Sequence, residues 1–147
     1  MPTLIIPDLH APFMHKVSLP HCKKAYKDHK CKDVIFTGHL HGTPLAELYT
    51  NAGLMALTSY QEGSPLVLLE ALSYEIPIVA SNITPYRHIE LSPYRYYTVD
   101  DVEELSRKLK GLFGVDYTDE QKYKYKHMLE NEYNWDKVAK KVKEIYG

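Results

Sequence analysis

The sequence predicts a three-layer α/β domain built on a mostly parallel sheet of four or five strands. Short β-branched or apolar runs alternate with helical stretches along the chain, the pattern of a sheet with helices on both faces. The loops rich in Gly, His, Ser and Glu fall directly after the strands, at the edge where parallel sheets hold ligands. The length of 147 residues fits one domain with a sizeable core, and no internal repeat or low-complexity linker divides it.

The elements follow in order. Thr3 to Ile6 reads as a short buried strand, and His10 to Val17 as a loop. Ser18 is placed to cap a helix running to about His29. Asp33 to Thr37 is a second strand, β-branched and aromatic. Thr43 and Pro44 open a helix through LAELYTNA. Leu54 to Thr58 is a third strand, Ile76 to Ala80 a fourth, and Tyr96 to Val99 a short fifth. Asp100 with Glu103, and Thr118 with Gln121, have capping-box spacing for two later helices. Trp135, Val138, Val142 and Ile145 share one face of a final helix.

Composition excludes several classes. A formal net charge of −1 gives no basis for binding nucleic acid or an acidic membrane surface. No apolar run is long enough to span a membrane and no signal-peptide pattern opens the chain, so it reads as cytoplasmic. Cys22 and Cys31 do not make a disulfide framework, and their spacing is wider than a zinc site uses. The 13 tyrosines, many beside lysine, read as a compositional bias.

The densest signal is YQEGSPLVLLEALSYEIPIVAS, Tyr60 to Ser81. Glu62 and Glu70 stand eight positions apart, with a Gly-Ser-Pro turn after the first. Ser64 suits the N-cap and Pro65 the first helical position. Leu66, Val67, Leu68, Leu69 and Leu72 then make a buried helix. Glu62 falls in the loop before it and Glu70 inside it. Free N–H groups at a helix start, aided by the helix dipole, bind anions. Two carboxylates around such a start suit a phosphorylated polyol, of which a nucleotide sugar is one.

This run resembles the E-x7-E motif of retaining glycosyltransferases of the GT-B fold, family 4 type. VIFTGHLHGTPLAELYTNAGLMALTSYQEG resembles the strand–helix–strand unit before that motif. PIVASNITPYRHIE resembles the strand and loop after it, and VDDVEELSRKLKGLF with NWDKVAKKVKEIY the closing helices. The likeness runs from about residue 33 to the end. It implies a Rossmann-like, nucleotide-sugar-binding domain. In that family the first glutamate lies near the donor sugar and the second near the ribose, which makes Glu62 the catalytic candidate and Glu70 a donor contact. Gly63, Ser64, Pro65 and Leu66 correspond to the phosphate-binding turn, and Gly38 and His39 to the segment near the base. Glu90 aligns with a further acidic position. The resemblance requires no cofactor and implies a nucleotide diphosphate sugar as partner.

The chain departs from that pattern in three ways. The Gly-Arg and Lys cations that meet the diphosphate have no counterpart. Glu75 stands where a glycine usually ends the motif helix, which predicts a less regular helix end. The acceptor would need a separate N-terminal domain, so this chain alone supplies donor-side groups and no turnover.

The opening LIIPDLHAPFMHK is similar instead to the first strand and loop of calcineurin-like metallophosphoesterases, whose D-x-H motif binds metal. Asp8 and His10 match it. GHLHG resembles a later G-H-x-H motif of that family and adds His39 and His41. These four could hold one divalent Zn, Mn or Fe ion. The bridging Asp of a two-metal site is missing. Two histories fit: a hybrid, with residues 1–32 phosphoesterase-like and residues 33–147 glycosyltransferase-like, or a truncated, diverged glycosyltransferase domain whose first unit happens to read D-x-H; the specific D-x-H-x-P-F string favours the hybrid. The rival functions are a metal-binding phosphoesterase remnant and a recombined or engineered scaffold without a specific ligand.

Overall fold

In the computed structural model the described residues are 3–7, 33–38 and 40–146. Asp8, His10, His39, Cys22, Cys31 and the helix expected from Ser18 to His29 lie outside them. Five strands are present among the described residues, each at an expected place: β1 (Thr3–Pro7), β2 (Asp33–Gly38), β3 (Met55–Leu57), β4 (Ile78–Ser81) and β5 (Tyr96–Tyr97). Every pairing is parallel. The strands form two ladders, β1–β2 and β3–β4–β5, where one sheet was expected. β1 and β2 pair from Thr3↔Asp33, with the register slipping between Ile6 and Pro7 so that Pro7 faces Gly38. Proline has no N–H to donate there.

The helices are α1 (Thr43–Asn51), α2 (Leu66–Ser73), the single turn α3 (Thr84–Arg87), α4 (Val102–Leu112), α5 (Asp119–Asn131) and α6 (Trp135–Tyr146). Around β3–β4–β5 the three expected layers are present. β4 is buried along its whole length, and its side chains alternate between two clusters. Ile78 and Ala80 join Leu68, Leu69 and Leu72 of α2 with Tyr125 and Met128 of α5. Val79 faces the other way, with Tyr97 and Leu112, and Leu105 and Leu109 of α4 pack against them. Period-two alternation on the strand thus assigns α2 and α5 to one face and α4 to the other.

Helix ends follow local chemistry. α5 starts with the expected capping box: Thr118 Oγ1 accepts from the Gln121 amide, and the Gln121 side chain accepts from the Thr118 amide. The box expected at Asp100 and Glu103 falls one residue later and is not reciprocal. Asp101 caps α4 by accepting from the Glu104 amide at 2.8 Å, while Glu104 turns to the Thr98 amide at 2.7 Å. Asp100 has a left-handed backbone, φ 68°, which delays the helix start. Its carboxylate instead accepts from the Tyr60 hydroxyl.

The end of α2 corrects another expectation. Glu75 takes φ 57° where glycine is usual, yet the closure is complete. The Ile76 amide bonds the Ala71 carbonyl and the Glu75 amide the Leu72 carbonyl, each at 3.0 Å, which is a full Schellman motif. Lys122 of α5 reaches the Glu75 carboxylate at 2.8 Å.

Arg95 ends a short 3-10 turn just before β5 and is fully buried. Its guanidinium lies 4.2 Å from the centre of the Tyr117 ring and 5.3 Å from that of Tyr94. Its terminal nitrogens donate long hydrogen bonds to the Ile78 and Val115 carbonyls, and Nε has no partner among the described residues.

α6 has no buried residue. Trp135 is 76% exposed and Ile145 77%, with only Val138 of the stripe half-buried, so most of its apolar face is open among the described residues. No helix of the described residues is long and apolar enough to cross a membrane.

Candidate functional site

The loop from Thr58 to Pro65 leaves the carboxyl end of β3 and turns into α2. It is latched to the neighbouring strand: Ser81, fully buried at the end of β4, donates from Oγ to the Ser59 carbonyl at 2.6 Å. The Ser59 hydroxyl donates to Glu62 Oε1, also at 2.6 Å. Tyr86 arrives from α3, just after β4, and its hydroxyl lies 3.0 Å from Ser59 Oγ and 3.2 Å from Glu62 Oε1. The Tyr86 carbonyl in turn accepts from the Tyr96 hydroxyl of β5 at 2.9 Å. Ser59 and Tyr86 thus meet on one half-buried carboxylate, and Ser81 of β4 and Tyr96 of β5 anchor their backbones.

Burial pushes the Tyr86 phenol up to about 12; the Ser59 hydrogen bond opposes this, and the Glu62 charge adds to the rise. The phenol therefore keeps its proton at neutral pH and serves Glu62 as a donor.

Glu70 lies in α2, as expected, with its side chain exposed. Tyr49 of α1 donates to its Oε2 at 3.1 Å. The Tyr49 ring stacks on Tyr74, with centroids 5.2 Å apart. Burial, then the Glu70 charge, pushes the Tyr49 phenol up to about 12. Each glutamate of the pair thus has its own tyrosine donor, drawn from a different helix.

The helix start between them differs in detail from expectation. α2 begins at Leu66, so Pro65 occupies the cap position and Ser64 does not cap. The Ser64 carbonyl accepts the Leu66 amide at 2.9 Å, so Leu66 presents no free N–H. The amides of Val67 and Leu68 have no backbone acceptor among the described residues. Leu66 is 51% exposed and Val67 47%; only Leu68, Leu69, Ala71 and Leu72 face the core, as the helical period requires. A methyl added at Gly63 would meet nothing within 4 Å, so packing does not dictate glycine there.

Gly38 ends β2. His41 is exposed in the turn that leads to Gly42. Gly42 precedes α1 with φ 64°, a conformation that favours glycine. With Asp8, His10 and His39 outside the described residues, the four-ligand metal set is not assembled among those described. No group of three or more His, Cys, Asp or Glu among the described residues could hold a metal ion. Glu90, another left-handed residue, pairs with Lys124 of α5 at 3.1 Å.

Ser59 and Tyr86 lie in the post-strand loops Ser59–Ser64 and Asn82–Tyr86 that the sequence places at the functional edge, but it assigns them no role, and it misses Ser81 and Tyr49. Ser59, three positions before Glu62, carried a local signal. The others reach the site across 21 or more residues of chain.

Comparison with known proteins gives a consistent answer. Residues 21–127, well over half of the chain, match the family described as glycosyl transferases group 1. The match begins inside the segment read as phosphoesterase-like. Over 72 residues the chain is 36% identical to the alpha-galactosylglucosyldiacylglycerol synthase of Streptococcus pneumoniae, covering 49% of this chain and 19% of that protein. Its fold is similar to sucrose-phosphate synthase from Thermosynechococcus elongatus, with TM-score 0.68 and 16% identity over 98% of this chain and 37% of the other. It is also similar to WaaG, a glycosyltransferase involved in lipopolysaccharide biosynthesis, with TM-score 0.56 and 14% identity, covering 88% and 43% of the two chains. The chain thus spans about a fifth of the curated relative and less than half of either solved structure.

Proposed function

The chain belongs to the glycosyl transferases group 1 family, and on that premise we propose that it is the donor side of a retaining sugar transferase, binding a nucleotide diphosphate sugar. The observation that carries this reading is Glu62: a half-buried carboxylate pinned by Ser59 and Tyr86 at the strand edge, directly before an uncapped helix start. A carboxylate there accepts hydrogen bonds from sugar hydroxyls and stabilises positive charge developing at the anomeric carbon. The turn Gly63–Leu66 and the amides of Val67 and Leu68 meet the diphosphate, Glu70 the ribose, and Gly38 with His39 the base. The bond broken joins the anomeric carbon to the diphosphate, and the bond formed joins that carbon to an acceptor oxygen.

The acceptor side comes from a separate domain. The mostly open apolar stripe of α6 is a surface such a domain could cover. By itself this chain binds donor without turning it over.

The test is a thermal shift of the full chain with UDP-, GDP- and ADP-sugars and the matching nucleoside diphosphates. Binding to the native state raises stability, by about 2.7 kcal/mol at a hundred times Kd. At least one nucleotide sugar is expected to raise Tm, and Glu62→Gln to remove the part owed to the sugar. No shift with any ligand at millimolar concentration overturns the reading.

A further inference from the structure

We infer that Tyr86 and Ser59 are positioning residues for Glu62, locking its carboxylate in place before any ligand arrives. The inference rests on the donor-side reading of Glu62 above. Both hydroxyls converge on one oxygen, Oε1, at 2.6 Å from Ser59 and 3.2 Å from Tyr86. Each hydroxyl has one hydrogen to give. Ser59 gives its hydrogen to Oε1 and Tyr86 gives its own to the same oxygen, with Ser59 Oγ, 3.0 Å away, as a second acceptor within its reach. Glu62 Oε2 has no hydrogen-bond partner among the described residues, so one oxygen is held and the other is left for a ligand.

Tyr86 is itself well fixed. It is 2% exposed, and its backbone is tied to Tyr96, whose hydroxyl also accepts from the Leu91 amide at 3.1 Å. Ser59 is fixed through its carbonyl by Ser81. The glutamate thus sits on a loop, but its side chain is held by two residues whose backbones are anchored to β4 and β5. An unsupported loop glutamate would lose rotamer freedom on binding, and that entropy would weaken the complex. Ordering it beforehand removes the loss. Because the free oxygen addresses the sugar, the effect falls on sugar-bearing ligands and not on the bare nucleoside diphosphate.

Calorimetry on the full chain tests this. The probes are the tightest nucleotide sugar of the panel above and its nucleoside diphosphate. Tyr86→Phe is expected to weaken the nucleotide sugar about five- to tenfold, the range of one lost hydrogen bond, with the diphosphate changed by less than about twofold. Combined with Glu62→Gln, Tyr86→Phe is expected to add nothing, since it acts through that carboxylate. Ser59→Ala gives the same comparison if Tyr86→Phe does not fold. An unchanged sugar affinity, an equal loss for both ligands, or losses that add in the double variant each overturn the positioning role. If the wild-type chain prefers the nucleotide sugar and the variants keep that preference, only this inference falls. If the wild type binds neither probe, the donor-side reading falls as well.

Discussion

The two ends of α2 are built to opposite standards. At its carboxyl end every device for stopping a helix is in use: two Schellman hydrogen bonds, an ion pair to Lys122, and Ile76 tucked in at 2% exposure. At its amino end no side chain caps it, two amides lack backbone acceptors among the described residues, and Leu66 and Val67 stand half exposed. The helix is held by its far end and its buried face. Its near end, beside Glu62, keeps donors unspent and apolar surface open. Unsatisfied groups cost stability, so an end left this way fits a site reserved for a ligand.

The largest expected effect that probes this contrast is in the core. Ile76→Ala should cost about 2–5 kcal/mol in chemical denaturation, as buried large-to-small changes do. Leu66→Ala should cost less than about 1 kcal/mol. Equal costs at both ends would break the comparison. Next come the helix starts. Thr118→Ala removes a cap that is in use and should cost about 1 kcal/mol. Ser64→Ala removes none and should stay within about 0.5 kcal/mol by the same measurement. A large loss at Ser64 would mean that the start of α2 is closed after all. Opposite in sign is Glu75→Gly. A left-handed L-residue costs roughly 1–2 kcal/mol, and the exposed pair with Lys122 returns at most about 1. Glycine there should raise the denaturation midpoint by up to about 1 kcal/mol equivalent, and a drop would show the ion pair to be the stronger term.

Much of this was legible in the chain. β4 is apolar and buried from Ile78 to Ala80, so a strand covered on both faces follows from those three residues. Thr118 with Gln121 announced α5 because a capping box is purely local. The box at Asp100 was misplaced by one residue, since the left-handed turn there carries no glycine to betray it. Glu75 misled for the same reason. Glu62 and Glu70 were visible by spacing, but their partners were not. Tyr86 and Tyr49 meet them only through the packing of β4, α1 and α2, and a tyrosine in sequence does not say where its hydroxyl goes. The abundance of tyrosine looked like bias, yet Tyr49, Tyr86, Tyr97, Tyr117 and Tyr125 are all core residues.

Arg95 sits at the opposite edge of the sheet from Glu62, against the first residue of β4. A guanidinium does not shed its charge inside a protein. It is buried against Tyr117 and the Ile78 carbonyl, while its bond to the Val115 carbonyl is only part-buried. Those groups lie on β4, β5's approach and the link between α4 and α5. The amides around them are expected to exchange slowly and together, which hydrogen exchange would measure. The far edge of these strands is then the part expected to open last.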